Sequence, residues 1–284
     1  MVQALCVNVA LTALELAGGL ITGSLALLAD AGHVLTDVGS IALALGAATL
    51  ATRSGSVRRT FGYRRSEVLA ALLNGLVLVA IAISVVVAAI VRLSDPPAVK
   101  GGGVLALGLV ALAGNALVTY LLARGDRKDL NLEAVVRHSA ADALGALAVV
   151  ISGAVILAGG SRAIDPVAGI AIAVLIGLSS VKLVRDPLDV LMEAAPAGVD
   201  VESLGRAICG VEAVTEVHEL HVWTVTPGFE TLAAHVVVAQ GRDRDLARRQ
   251  VEYELREQFG IEHTTLQMEG AADERPLRIE VDSD

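Results

Sequence analysis

The chain has 284 residues, of which 54% are hydrophobic and only 2% aromatic, and its mean hydropathy is +0.66; that balance is too apolar for a soluble domain and identifies a membrane protein. The formal net charge of -9 is unevenly placed, with 14 Lys/Arg against 13 Asp/Glu over residues 1 to 194 and 8 against 18 over residues 195 to 284. No basic stripe is available to neutralise phosphates, which excludes nucleic acid as a partner.

Six apolar runs follow in order, over about residues 3–23, 28–51, 68–92, 102–123, 134–159 and 164–184, each near the ~20 residues a spanning helix needs. Turn chemistry separates them: Gly23-Ser24, the Arg/Gly/Ser stretch 53–66, Asp95-Pro96-Pro97, Gly125-Asp126, Gly159-Gly160-Ser161 and Asp186-Pro187. The first run is too long for a signal-peptide core and has no basic flank, so no signal peptide is expected. Six spans put both termini on one side of the bilayer. Arg53, Arg58, Arg59, Arg64 and Arg65 lie between spans 2 and 3, and Arg124, Arg127 and Lys128 between spans 4 and 5, while the alternate loops hold only Arg92, Lys100 and Arg162. The positive-inside rule then makes those loops and both termini cytoplasmic, in a multi-pass protein of the cell membrane.

Beyond Pro196 the period changes. Residues 200–209 read as a short helix, 214–225 and 230–239 as strands around Thr226-Pro227-Gly228, 243–258 as an amphipathic helix and 261–268 as a last strand. The expected organisation is a six-helix membrane domain over 1–194, a cytoplasmic α+β domain over 195–270 and an acidic disordered tail over 271–284. A domain of this size suits a partner surface, such as a second copy of itself. Cys6 and Cys209 are too few and too far apart for a disulfide framework and read as free thiols.

The chemistry lies in one spacing that occurs twice inside apolar runs: His33 and Asp37 in ADAGHVLTDVGS, and His138 and Asp142 in VVRHSAADALGA. Four residues apart, both side chains of a pair share one helix face. If the two faces meet, two imidazoles and two carboxylates converge as a tetrahedral set for a borderline divalent cation such as Zn2+. An ionisable group in a span costs at least ~2.5 kcal/mol and usually marks function; the bland alternative is a pair of hydrogen bonds locking two helices. Asp30 shares the face of His33 and reads either as a vestibule carboxylate or as a cap on span 2. Spans 2 and 5 are antiparallel, and counting from the run ends leaves the pairs at depths differing by about 10 Å. The site closes if helix 5 starts well before residue 134, extending through 129–133, or if tilting compensates; the early start is expected.

With SLALLADAGHVLTD in span 2, FGYRRSEVLAALLNG at 61–75, NLEAVVRHSAADALG at span 5 and VHELHVW in the last domain, the sequence resembles the cation diffusion facilitator family of zinc/proton antiporters. The resemblance implies a homodimer exporting Zn2+, and by extension Cd2+ or Co2+, from the cytoplasm against inward protons by alternating access, with a ferredoxin-like, metallochaperone-like cytoplasmic domain. It assigns His33, Asp37, His138 and Asp142 as the transport ligands. It places a hinge ion pair at Arg65 and Glu193, and a cytoplasmic zinc site at the dimer interface on His218, His235 and Glu269. Gln267 stands where other members have a further histidine. Tyr63 stands in the loop where they use one, so the family's second membrane-loop site is expected to be absent.

The residues themselves leave alternatives open. His218 and His221, three apart on a strand, are expected to face opposite sides, and His263 reads as a solvated strand histidine. No HExxH or comparable set is present, so an enzyme is not expected. A metal sensor or scaffold that binds without flux, and a passive metal channel, are the competing readings.

Overall fold

In the computed structural model, which describes residues 2–123 and 130–270, the chain forms two compact units, one from Met1–Leu50 with Leu69–Arg185 and the other from Ala51–Val68 with Asp186–Asp284. The acidic tail expected over 271–284 and the basic loop at 124–128 lie outside the described residues.

Six long helices account for the apolar runs: α1 (Val2–Thr22), α2 (Leu25–Ala51), α3 (Ser66–Ser94), α4 (Gly101–Ala123), α5 (Leu130–Leu157) and α6 (Ile164–Leu191). Among the described residues, α2, α3, α5 from Ala140 and α6 are long and apolar enough to cross a membrane, while α1 and α4 contribute shorter apolar stretches, Val9–Thr22 and Gly101–Leu117. Leu20, Ile21, Leu45, Ile83 and Val91 are exposed, as lipid-facing side chains are. Inside, Leu27, Leu78, Val104, Val149, Ile172 and Ile176 make one core. Small residues let helices touch in lipid, where no hydrophobic force drives them together. A Cβ at Gly153 of α5 would lie 2.4 Å from the backbone nitrogen of Leu105 on α4.

The turn expected at Asp186-Pro187 is instead inside α6, which runs through Pro187 to Leu191. Proline removes one intrahelical bond. The carbonyl it leaves, on Leu183, faces α3 at Gly75, where an added Cβ would come within 2.9 Å of that oxygen. The helix ends at Leu191 in a turn: the Glu193 amide donates to Val190 O and the Ala194 amide to Asp189 O, with Glu193 itself left-handed at φ 58°, the position usually given to glycine.

One end of the bundle is tied by a buried carboxylate. Asp165, at the start of α6, accepts from Ser24 Oγ at 2.5 Å and from the Leu25 amide at 2.6 Å, with Ser152 Oγ of α5 at 3.5 Å. Ser24 in turn accepts from the Leu27 amide at 3.2 Å, capping α2.

The second unit contains α7 (Val201–Cys209), β1 (Val214–Thr226), β2 (Phe229–Val238), α8 (Arg244–Phe259) and β3 (His263–Gly270). Asp200 and Asp243 cap the two helices, and Gly260 closes α8 at φ 68°. The sheet order is β1-β2-β3, with β1 antiparallel to β2 and β3 parallel to it. That is a ferredoxin-like order lacking its first strand, so the two strands normally split by it pair directly. Leu204, Ile208, Val222, Leu232, Val236, Val251 and Leu255 form its core. The segment between α2 and α3 belongs to this unit: Thr226 Oγ1 donates to Glu67 Oε2 at 3.0 Å, and the Arg64 guanidinium lies 4.3 Å from the centre of the Phe229 ring.

The strand alternation expected to separate His218 from His221 does not hold. His218 pairs with His235 and His221 with Ala233, with a bulge between, and Glu219 takes φ 47°. The extra residue restores phase, so both histidines share the sheet face of Ala233 and His235.

Candidate metal centre

α2 brings His33 and Asp37 to one face, as the spacing requires. Between and beyond them Thr36 Oγ1 donates to His33 O at 2.6 Å and Ser40 Oγ to Asp37 O at 2.7 Å, so the hydroxyls on this stretch turn back on their own helix. α5 begins at Leu130, ahead of the apolar run. That early start removes the depth mismatch: Asp142 Oδ1 stands 3.4 Å from His33 Nε2, and Asp37 Oδ2 3.9 Å from the same nitrogen. Ligand atoms of His33, Asp37 and Asp142 all lie within 4.8 Å of one another. Donors on a tetrahedral ion with bonds of ~2.0 Å are separated by about 3.3 Å. The interhelical pair is already at that spacing, and the pair within α2 needs to close by a few tenths of an ångström. His138 is on α5, but its side chain lies outside the described residues. Residues 2–51 contain no Lys or Arg, so no fixed cation from α1 or α2 neutralises the carboxylates.

A second group forms on the sheet. His235 Nδ1 stands 2.8 Å from Glu269 Oε1 and His218 Nε2 3.6 Å from Glu269 Oε2, with the imidazole centres 5.2 Å apart. These three again offer atoms within 4.8 Å. Gln267 donates to Glu269 Oε1 at 2.8 Å. That amide, followed by the nearby His235 and His218, holds the Glu269 carboxyl below its usual range. Glu219, aimed by the bulge, adds a carboxylate 3.7 Å from His235 Nε2. His221 lines a different depression with Trp223 and Ala233, and His263 packs against Phe229, 5.2 Å between ring centres.

Arg65 Nη2 and Glu193 Oε1 are 3.2 Å apart. Both belong to the second unit, where they fasten the segment before α3 to the segment after α6.

Sequence reading passed over Glu15, Asp165 and Glu219. A single acid in the first apolar run was signal enough for Glu15. Nothing local marked Asp165, whose partners are about 140 residues away, and the role of Glu219 depends on a bulge.

The sequence matches the family described as cation efflux transmembrane domain over residues 1–192, and the one described as cation efflux protein, cytoplasmic domain, over residues 196–271. The chain belongs to the cation efflux family of membrane transporters, which move a substrate and do not convert it. It is 37% identical to a cadmium, cobalt and zinc/H(+)-K(+) antiporter of Bacillus subtilis, over 91% of this chain and 85% of the relative. It is 38% identical to zinc transporter ZitB of Shigella flexneri, over 92% and 84%. Metal cation efflux system protein CzcD of Cupriavidus metallidurans is 34% identical, over 90% and 81%.

Proposed function

We propose that this protein exports Zn2+ from the cytoplasm in exchange for protons, by alternating access, with Cd2+ and Co2+ as further substrates. The observation that carries the reading is the closure of His33 on α2 against Asp142 on α5 at 3.4 Å, a tetrahedral donor spacing built from two separate spans. His33, Asp37 and Asp142, with His138 as fourth ligand, hold the ion. Imidazole must be neutral and carboxylate ionised to bind metal, so proton loading and metal loading exclude each other. The name of the Bacillus subtilis relative supports the exchange, and that of ZitB supports zinc as the substrate.

The chain acts as a homodimer in the cell membrane with both termini cytoplasmic; residues 1–194 form the transport domain and 195–270 the dimerising, metal-sensing one. Zn2+ on His218, His235 and Glu269 stabilises the closed dimer by linkage, and the Arg65–Glu193 pair serves as the hinge. In vesicles holding the reconstituted protein, Asp142→Ala should abolish Zn2+-driven proton movement. Undiminished movement by that variant removes the site from these residues. Zinc binding by the wild type without any flux would make the protein a sensor, and ohmic conductance would make it a channel.

A further inference from the structure

Two buried carboxylates lie beside the proposed metal centre without being among its ligands. Glu15 on α1 is 2% exposed and Asp30 on α2 is 1% exposed. Leu14 and Leu16 on either side of Glu15 are exposed, so α1 turns this one acid inward. Glu15 Oε2 and Asp30 Oδ2 are buried and accept no hydrogen bond. Asp30 is close enough to Glu15 and Asp142 to feel both charges, and Glu15 feels Asp142. The space for Asp30 is made by glycine: a Cβ at Gly145 of α5 would stand 2.7 Å from Asp30 Oδ1. Asp30, His33, Gly145 and Ser179, among others, line a small cavity of about 20 Å³. It has room for one water.

A bare carboxylate in lipid is far too costly to keep without a compensating positive charge. The candidates for a fixed one run out quickly. No Lys or Arg occurs over residues 2–51, 101–123 or 139–157. Among the described side chains, the titratable groups near the pair are His33 and Asp37 on α2 and Asp142 on α5; Lys182 and Arg185 of α6 are exposed, toward its C-terminal end, and the side chains of Glu133, Arg137 and His138 on α5 lie outside the described residues. Asp165 on α6 is already occupied by Ser24 and Leu25; among its described side chains α4 offers only the neutral Asn115 as a buried polar group; and α3 has its charged residues, Glu67 and Arg92, at its two ends, Arg92 donating to Gly23 O. Among the described side chains no fixed cation accompanies the pair, and the exchanged ion of an antiporter supplies a mobile one.

The geometry points to Glu15 and Asp30 as a proton-holding pair for the exchange, a role that rests on the Zn2+/proton reading above. With the ligands empty the pair holds a proton. When the dication arrives on His33, Asp37 and Asp142, its field breaks the carboxyl O–H bond. The electron pair stays on oxygen and the proton passes to water. The negative charge left behind helps hold the dication, and once the metal departs a proton binds the pair again.

The test uses the full chain in proteoliposomes with pH-sensitive and zinc-sensitive dyes. Glu15→Gln and Asp30→Asn keep shape and polarity but remove the titratable proton. Zinc affinity at neutral pH should fall by about tenfold, because the charge left by the departing proton is gone, while protons moved per zinc fall by about one and the pH dependence of affinity and flux flattens. Wild-type proton counts in both variants overturn the pair, as does a loss of zinc affinity as large at acid as at alkaline pH, which would make them structural supports of the ligands. A measurement free of folding effects is difference infrared spectroscopy of the wild type: zinc loading should remove the carbonyl band of a protonated buried carboxyl group, and an unchanged band overturns the proposal. Wild-type vesicles that move zinc and no protons would overturn the exchange itself, and the pair with it.

Discussion

The two candidate ligand clusters use the same chemistry in opposite settings. In the membrane cluster the side chains of His33 and Asp142 are 11% and 13% exposed and come from helices more than a hundred residues apart. On the sheet, His218 and Glu269 are 39% and 27% exposed and are assembled within one small domain by strand pairing. Burial makes the difference. In the membrane an uncompensated carboxylate is costly, so the cluster needs a cation, whether metal or proton. On the sheet water screens the charges, so the same residues are tolerated with or without metal and their ion pairs are weak. An obligatory charge exchange suits transport, and a tolerant site suits sensing.

The largest expected effect is at the membrane cluster. His33→Ala should lower zinc affinity of the full chain by more than the ~10–100-fold that loss of a ligand's supporting partner costs, read by competition with a chelating dye. His235→Ala should remove one weaker binding event and leave flux at saturating zinc within about twofold of wild type; loss of flux would erase the contrast between the clusters. Gly153→Ala tests packing. Alanine is the better helix former by about 1 kcal/mol, but its methyl would meet the Leu105 backbone, and overpacking costs ~1–3 kcal/mol, so thermal stability in detergent should fall. Glu193→Gly should change stability by less than about 1 kcal/mol, because relief of the left-handed backbone offsets the loss of an exposed ion pair. An altered flux at unchanged melting temperature would show that Glu193 is kept for its hinge role.

The smallest effect is a pH dependence of the sheet. The Glu269 carboxyl is depressed in the folded domain by Gln267 and the two histidines. Its contribution is therefore present above the ordinary glutamate pKa of about 4.3 and is lost as pH falls below that value toward the folded one. In metal-free protein, Gln267→Ala should shrink the drop in melting temperature over that acid range.

Much of this was legible in the sequence because it obeys short periods. The four-residue spacing of His33 and Asp37 fixes a helix face, and the apolar runs fix the spans. Strand limits fell within a residue or two because Thr226-Pro227-Gly228 and Gly260 punctuate them. What was hidden depends on departures from period or on distant partners. Pro187 reads as a stop because proline usually is one, yet α6 continues with its orphaned carbonyl against Gly75. His218 and His221 read as opposed because alternation says so, until a bulge at Glu219 shifts the phase. Asp165 looks like an ordinary residue at a helix start, and only the fold shows that it caps a different helix.

That cap bears on how the bundle moves. Asp165 binds the first turn of α2 and reaches Ser152 on α5, so three helices are knotted at the end where α1 turns into α2. At ~1.5 Å per residue, His33 lies about 13 Å along α2 from Ser24 and Asp37 about 20 Å. A rod pinned at one end sweeps further with distance, so a given tilt of α2 displaces Asp37 about half as far again as His33. The ligand set should come apart from Asp37 first, on the side away from the knot, and the protein thereby has a stiff end and a compliant one.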